Sequence, residues 1–193
     1  GHSVENLASA LSSVAAGGAL GPEDVVVDLG AGIGKILAVA ALTTNASARG
    51  IELSAERHAE GCRVLELLKV LLSEDEKFTS TPSARCPASR VFELWRGDIF
   101  DAPAALVRPT VGSMSFIAYA NCLPYGLLSA MMEIVAAAPS SCVWLLTTKE
   151  PVSVAPQSLG LKRHPGLHGG LYTLFSRAGD ACSAPNHLHS ESS

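Results

Sequence analysis

The chain has 193 residues, 48% of them hydrophobic and 17% charged, which is enough to bury the core of one domain. Its net charge of −4 and its dispersed Lys and Arg residues offer no general attraction for phosphate, so strong intrinsic nucleic-acid binding is not expected. No uninterrupted apolar run is long enough to span a membrane, and five scattered cysteines, an odd number, fit the reduced thiols of a cytoplasmic or nuclear protein.

Taken from its start, the sequence first shows Leu7, Leu11 and Val14 at helical spacing. A helix is predicted over 4–16 with Ser3 as its N-cap, ended by Gly17-Gly18. Gly21-Pro22-Glu23-Asp24 then turns into Val25-Val26-Val27-Asp28-Leu29-Gly30-Ala31-Gly32-Ile33-Gly34-Lys35. Three β-branched residues form the pattern of a buried parallel strand, Asp28 stands at its carboxyl end, and a glycine-rich turn leads into a helix over 36–42. Glycines there let the backbone take positive φ and approach a ligand closely, and the helix behind them presents unfilled N–H groups. Tight strand-to-helix turns also use glycine for structural reasons alone. What sharpens the motif is Glu52, at the end of a second apolar run, 18 positions after Gly34. A ribose-binding carboxylate of a nucleotide-binding β-α-β unit is expected at about that distance.

Ser54 is predicted to cap a long helix over 55–72 with Val64, Leu67, Leu68 and Leu71 as its buried stripe. The polar stretch 73–90, with two prolines, reads as a surface loop. A third strand over 91–96 runs into Gly97-Asp98-Ile99-Phe100. Asp98 there is placed to accept from an adenine amino group while Ile99 or Phe100 covers the ring; an ordinary turn with an apolar core pair fits the same residues. A fourth strand over 114–119 leads to Asn121-Cys122-Leu123-Pro124-Tyr125-Gly126, followed by a helix over 127–138 and a fifth strand over 142–147. Runs at 159–163 and 170–175 suggest a terminal hairpin. Alternating strands and helices predict an α/β fold: a doubly wound, mostly parallel sheet of about seven strands with an antiparallel C-terminal hairpin, Rossmann-like. Ligands of such sheets sit outside the carboxyl ends of the strands, where Asp28, Glu52, Asp98 and Asn121 all fall. The domain is expected over 1–178, with a polar, flexible tail over 179–193. Cys182, His187 and His189 in that tail lack a companion cysteine pair, so no metal site is expected.

The form Asp-Leu-Gly-Ala-Gly-x-Gly, with Asp28 directly before the turn, resembles class I S-adenosylmethionine-dependent methyltransferases more than dinucleotide dehydrogenases. A pyrophosphate would be repelled by Asp28, whereas a cofactor carrying an ammonium and a sulfonium would not. S-adenosylmethionine is therefore the expected cofactor, and NAD is not expected to bind.

From Gly1 to about Ser176 the chain also resembles the non-SET histone-lysine methyltransferases, the disruptor-of-telomeric-silencing family. The shared features are the glycine motif, Gly50-Ile51-Glu52, Arg96-Gly97-Asp98-Ile99-Phe100, the Asn121-to-Gly126 segment, Thr147-Thr148-Lys149-Glu150-Pro151 and Leu171-Tyr172. That resemblance implies that Gly30 and Gly32 line the cofactor, Glu52 holds the ribose hydroxyls, and Asp98 and Phe100 meet adenine. It further implies that Asn121 sits beside the transferring methyl and that Tyr125 and Tyr172 wall an acceptor channel; core packing with a bonded hydroxyl fits the two tyrosines equally well. The implied activity is methyl transfer to a lysine of a protein partner, a histone-type acceptor included. Cys122 stands where the family has a second Asn, and Leu171 where it has the first of two aromatics. A small-molecule N-methyltransferase and a non-catalytic cofactor-binding interaction module are the alternatives.

Overall fold

Side chains of a strand alternate between the two faces of its sheet, and that alternation decides the architecture here. In β1 (Val25–Leu29), Val26 packs into one core cluster while Val25, Val27 and Leu29 pack into another. In β5 (Val143–Thr147), Trp144 and Leu146 join the first cluster and Leu145 the second. A sheet buried on both faces needs helices on both, and the chain provides them. The computed structural model describes residues 4–14, 20–78, 90–101, 116–120, 125–138, 143–147, 156–164 and 172–177.

Helices α1 (Val4–Val14), α2 (Lys35–Thr43) and α3 (Ala55–Phe78) cover one face through Leu7, Leu11, Leu37, Ala40, Leu65 and Leu68. Helix α4 (Tyr125–Ala136) covers the other through Leu128, Met131, Met132 and Val135. The remaining strands are β2 (Ser47–Glu52), β3 (Phe92–Arg96), β4 (Phe116–Ala120), β6 (Leu161–Arg163) and β7 (Thr173–Arg177). Their order across the sheet is β3-β2-β1-β4-β5-β7-β6. Strands β1 to β5 pair in parallel, and β7 lies antiparallel to both β5 and β6. The strand order reverses beside β1, which leads first outward to β2 and β3 and later, through β4, the other way. The crevice at that reversal is where open α/β sheets receive ligands.

The expected face of α3 is corrected. Leu65 and Leu68 are buried, while Leu67 and Leu71 of the expected stripe are exposed and Val64 is half-buried. Apolar spacing alone cannot choose between neighbouring faces of a helix. Gly61 chooses here: a Cβ on it would lie 2.4 Å from Leu94 Cδ2 and 3.3 Å from the Ile33 carbonyl carbon, so the helix sits closest to the glycine turn at that position. One turn earlier, the His58 ring shares a 3.0 Å hydrogen bond with the Leu94 carbonyl. Residues 58, 61, 65 and 68 therefore face inward. The tail at 179–193 lies outside the described residues.

Candidate functional site

The site begins where β1 ends. Gly30 and Gly32 take φ of 87° and 57°, in the left-handed region that favours glycine. A Cβ on Gly32 would meet nothing within 4 Å, so that position needs glycine for its backbone angle, and the space above it is open. The turn is fixed from the β2 side. The Gly30 and Ala31 N–H groups both donate to the Ile51 carbonyl, at 3.1 and 2.9 Å, and Gly32 N–H donates to Glu52 Oε2 at 2.8 Å. Gly50 permits this close crossing, since a Cβ there would stand 2.8 Å from Ala31 Cβ. Three of the turn's amides are thus already spent on holding its shape. The helix behind it starts at Gly34, which provides no side-chain cap.

Glu52 is 3% exposed and accepts two hydrogen bonds, from Gly32 N–H on Oε2 and from Ser54 N–H at 2.8 Å on Oε1, and Arg57 Nη2 forms an ion pair with Oε1 at 3.0 Å. Asp28, equally buried, differs. No hydrogen bond from a described residue reaches its carboxyl, and its pKa is pushed up to about 8, first by burial and then by the negative charge of Glu52. A buried carboxyl with no partner among the described residues, beside an open glycine turn, is suited to a donor or a cation.

The end of β3 supplies the third part. Gly97 N–H donates to the Glu52 carbonyl at 3.1 Å, which ties the two strand ends together. Asp98 Oδ1 accepts from Phe100 N–H at 3.0 Å, leaving its other oxygen for a ligand. Of the two apolar residues expected to cover a ring, Ile99 is buried in the second core cluster, so it covers nothing outside; Phe100 is 51% exposed. Leu53, 66% exposed and directly after Glu52, offers a second apolar surface at this edge. Sequence reasoning passed over Leu53, although a large apolar residue just past a strand's end, beside an acidic one, was the available signal.

On the acceptor side the residues separate. Asn121 lies outside the described residues, as does the side chain of Tyr125, whose backbone opens α4. Tyr172 precedes Thr173, which pairs with Thr147 at the carboxyl end of β5, so it stands at the expected edge. Its side chain is fully buried in the first core cluster, among the packing residues rather than on a channel surface. Burial raises its hydroxyl pKa. Among the described residues no group of three metal-binding side chains forms.

No protein-family model matches the chain, and no curated protein matches it. Solved structures do. An RNA methyltransferase from Salinibacter ruber, solved with S-adenosyl-L-homocysteine, is 18% identical over 97% of this chain and 94% of its own, with a TM-score of 0.54. The protein yhhF from Escherichia coli, assigned as a methyltransferase, is 14% identical over 90% of this chain and 84% of its own, with a TM-score of 0.55. The Haemophilus influenzae protein HI0767, assigned as a methylase, is 13% identical over 81% and 88%, with a TM-score of 0.51. The chain has the class I methyltransferase fold. These likenesses extend to the fold and do not support the narrower histone-lysine family suggested by the motifs.

Proposed function

We propose that the chain is an S-adenosylmethionine-dependent methyltransferase acting on a nitrogen acceptor. The observation that carries this reading is the meeting, at one sheet edge, of a buried Asp28 that no described residue bonds, an open turn at Gly32 and a Glu52 bonded to that turn at 2.8 Å. S-adenosylmethionine supplies a methyl group on a sulfonium, an electrophile that needs no metal or further activation.

The chain's own residues then have distinct tasks. Asp28 would hold a cationic amino group, Glu52 would accept from ribose hydroxyls, Asp98 would accept from an adenine amino group, and the exposed Phe100 and Leu53 would offer that ring apolar surface. In-line methyl transfer requires alignment and an amine without its proton more than a strong acid or base. By the family resemblance Asn121 would lie next to the transferring methyl and align the acceptor without adding a charge that would hold a proton on it. By the same resemblance Tyr125 would wall the acceptor path.

The acceptor we propose is a protein lysine, on the strength of the Asn121-to-Gly126 and Thr147-to-Pro151 resemblances. A small-molecule amine is the second reading, favoured by the complete burial of Tyr172, which takes away one of two aromatic channel walls. Calorimetry with S-adenosylmethionine, S-adenosylhomocysteine and NAD tests the cofactor: the first two bind and NAD does not. A radiolabelled-methyl screen over histones, cell lysate and small amines then identifies the acceptor. Tight NAD binding, or no binding of either adenosyl compound, would overturn the reading.

A further inference from the structure

Glu52 is more crowded than a ribose acceptor should be. A carboxylate has about four acceptor positions, two on each oxygen. Oε1 already takes Ser54 N–H and is ion-paired with Arg57 Nη2 at 3.0 Å, and Oε2 takes Gly32 N–H, so the position left on Oε2 is open while the one left on Oε1 lies against the guanidinium. A vicinal diol engages a carboxylate fully when each oxygen receives one hydroxyl, and on Oε1 the Arg57 guanidinium stands 3.0 Å away, in competition with the second. Both hydrogen-bond donors are main-chain amides. Gly32 is held in the glycine turn, and Ser54 immediately precedes α3, so neither leaves without local unfolding. Arg57 is different: it reaches Oε1 from the first turn of α3 on a side chain that is 63% exposed.

We propose that Arg57 is a displaceable plug on the ribose acceptor. It fills Oε1 while the site is empty and swings into solvent when a nucleoside with a cis-diol binds. The inference rests on the reading of Glu52 as the ribose-binding group, and it adds a residue that sets how much each hydroxyl is worth. With the plug in place, the first hydroxyl takes the open position on Oε2, and the gain from the second is offset by breaking the ion pair. Without the plug, the second hydroxyl enters an unfilled position.

The test compares the unmodified protein with Arg57→Met, which keeps the length of the side chain and loses its charge and donors. The probes are S-adenosylhomocysteine and its 2′-deoxy and 3′-deoxy analogues, followed by calorimetry. Removing an ion pair with one exposed partner should tighten S-adenosylhomocysteine about two- to fivefold. Loss of a hydroxyl should weaken binding less than about threefold in the unmodified protein and about tenfold in Arg57→Met, where a full hydrogen bond to a charged acceptor is at stake. Thermal melting confirms that the variant is folded, as expected for an exposed position.

Equal or weaker binding of S-adenosylhomocysteine by Arg57→Met would show that Arg57 holds Glu52 in place, and would overturn the plug alone. The same hydroxyl dependence in both proteins would do so too. Failure of both proteins to bind S-adenosylhomocysteine or adenosine would instead remove the ribose assignment, and the plug with it.

Discussion

Two buried ionisable groups lie at opposite ends of the same sheet, and they are handled in opposite ways. Asp28 stands at the carboxyl end of β1, with no hydrogen bond from a described residue and Glu52 as a like-charged neighbour. His164 follows β6 near the far edge. Its ring shares a 2.6 Å hydrogen bond with Ser176 Oγ, its backbone N–H donates to the Leu174 carbonyl at 2.8 Å, and the Trp144 ring lies 5.2 Å away. Ser176 is paired with Trp144, toward the amino end of β5, so this pair faces away from the proposed cofactor edge. Burial perturbs both groups. The histidine is given a partner, as a structural polar group in a core must be, and the aspartate is left without one. The contrast separates a site from a well-packed hairpin more clearly than burial or pKa would alone.

The largest expected effect breaks the site end. Glu52→Ala removes the acceptor for two main-chain amides and for Arg57, and with it the ribose contact. Affinity for S-adenosylhomocysteine should fall by about 2–4 kcal/mol, as expected for hydrogen bonds to a charged acceptor. Calorimetry reads this directly, and unchanged affinity would mean that Glu52 only braces the glycine turn.

Titration sharpens the comparison, because the two groups slope stability in opposite directions. The folded-state pKa of Asp28, about 8, lies above the ordinary carboxylate value near 4. The native state therefore binds the extra proton between those values, and Asp28 makes stability fall as pH rises from about 4 to about 8. Asp28→Asn should remove that slope and stabilise the protein above pH 8 by about 1–3 kcal/mol, the cost of a buried charge lacking a partner. Binding of the cationic S-adenosylmethionine near pH 7 should release a proton from Asp28, seen as a binding enthalpy that changes with the buffer's ionisation enthalpy. The His164 pKa is lowered, first by burial and then by the charge of Lys162. Its contribution is present above the unfolded value near 6.5 and is lost as pH falls below it.

At the hairpin end, Ser176→Ala leaves the His164 ring without its 2.6 Å partner. Chemical denaturation should show a loss of about 1–2 kcal/mol, typical of a buried polar group left unsatisfied. Cofactor affinity should stay unchanged, since the site is at the other end of the sheet. A drop in affinity would mean that the two regions are coupled.

The difference between the two ends also explains what the sequence made legible. The glycine turn and Glu52 could be read because their spacing follows from covalent geometry: a short strand, a tight turn, a helix and a second strand fix where the acidic residue must return. The alternation of strand and helix likewise led to the doubly wound sheet. The face of α3 was misread because it depends on Gly61, a residue with no side chain to count in an apolar pattern. That Ile99 turns inward while Phe100 turns outward depends on a single short turn of 3₁₀ helix over Ile99–Asp101, and two adjacent apolar residues give no hint of which is which. The His164–Ser176 pair was invisible because its members are 12 positions apart and meet only through the register of β6 against β7.

Phe100 allows the smallest and most specific test of the site end. Its ring is half exposed at a strand terminus, which is unusual for a residue whose only task is packing. If it covers an adenine, Phe100→Ala should cost binding without costing stability. The loss in affinity for S-adenosylhomocysteine should be about 1 kcal/mol, the lower end of what stacking of a base on an aromatic side chain contributes. The melting temperature should hardly move, because little buried apolar surface is lost. Ile99→Ala provides the control. Ile99 is buried among the residues of the second core cluster, so its truncation should lower the melting temperature through the cavity it leaves, with only an indirect effect on binding. Phe100→Leu separates stacking from simple apolar cover, since it retains bulk but not the flat ring, and it should recover only part of the affinity. The adenine assignment fails if Phe100→Ala lowers stability as Ile99→Ala does while leaving affinity intact, for the ring would then be a core residue seen from its edge.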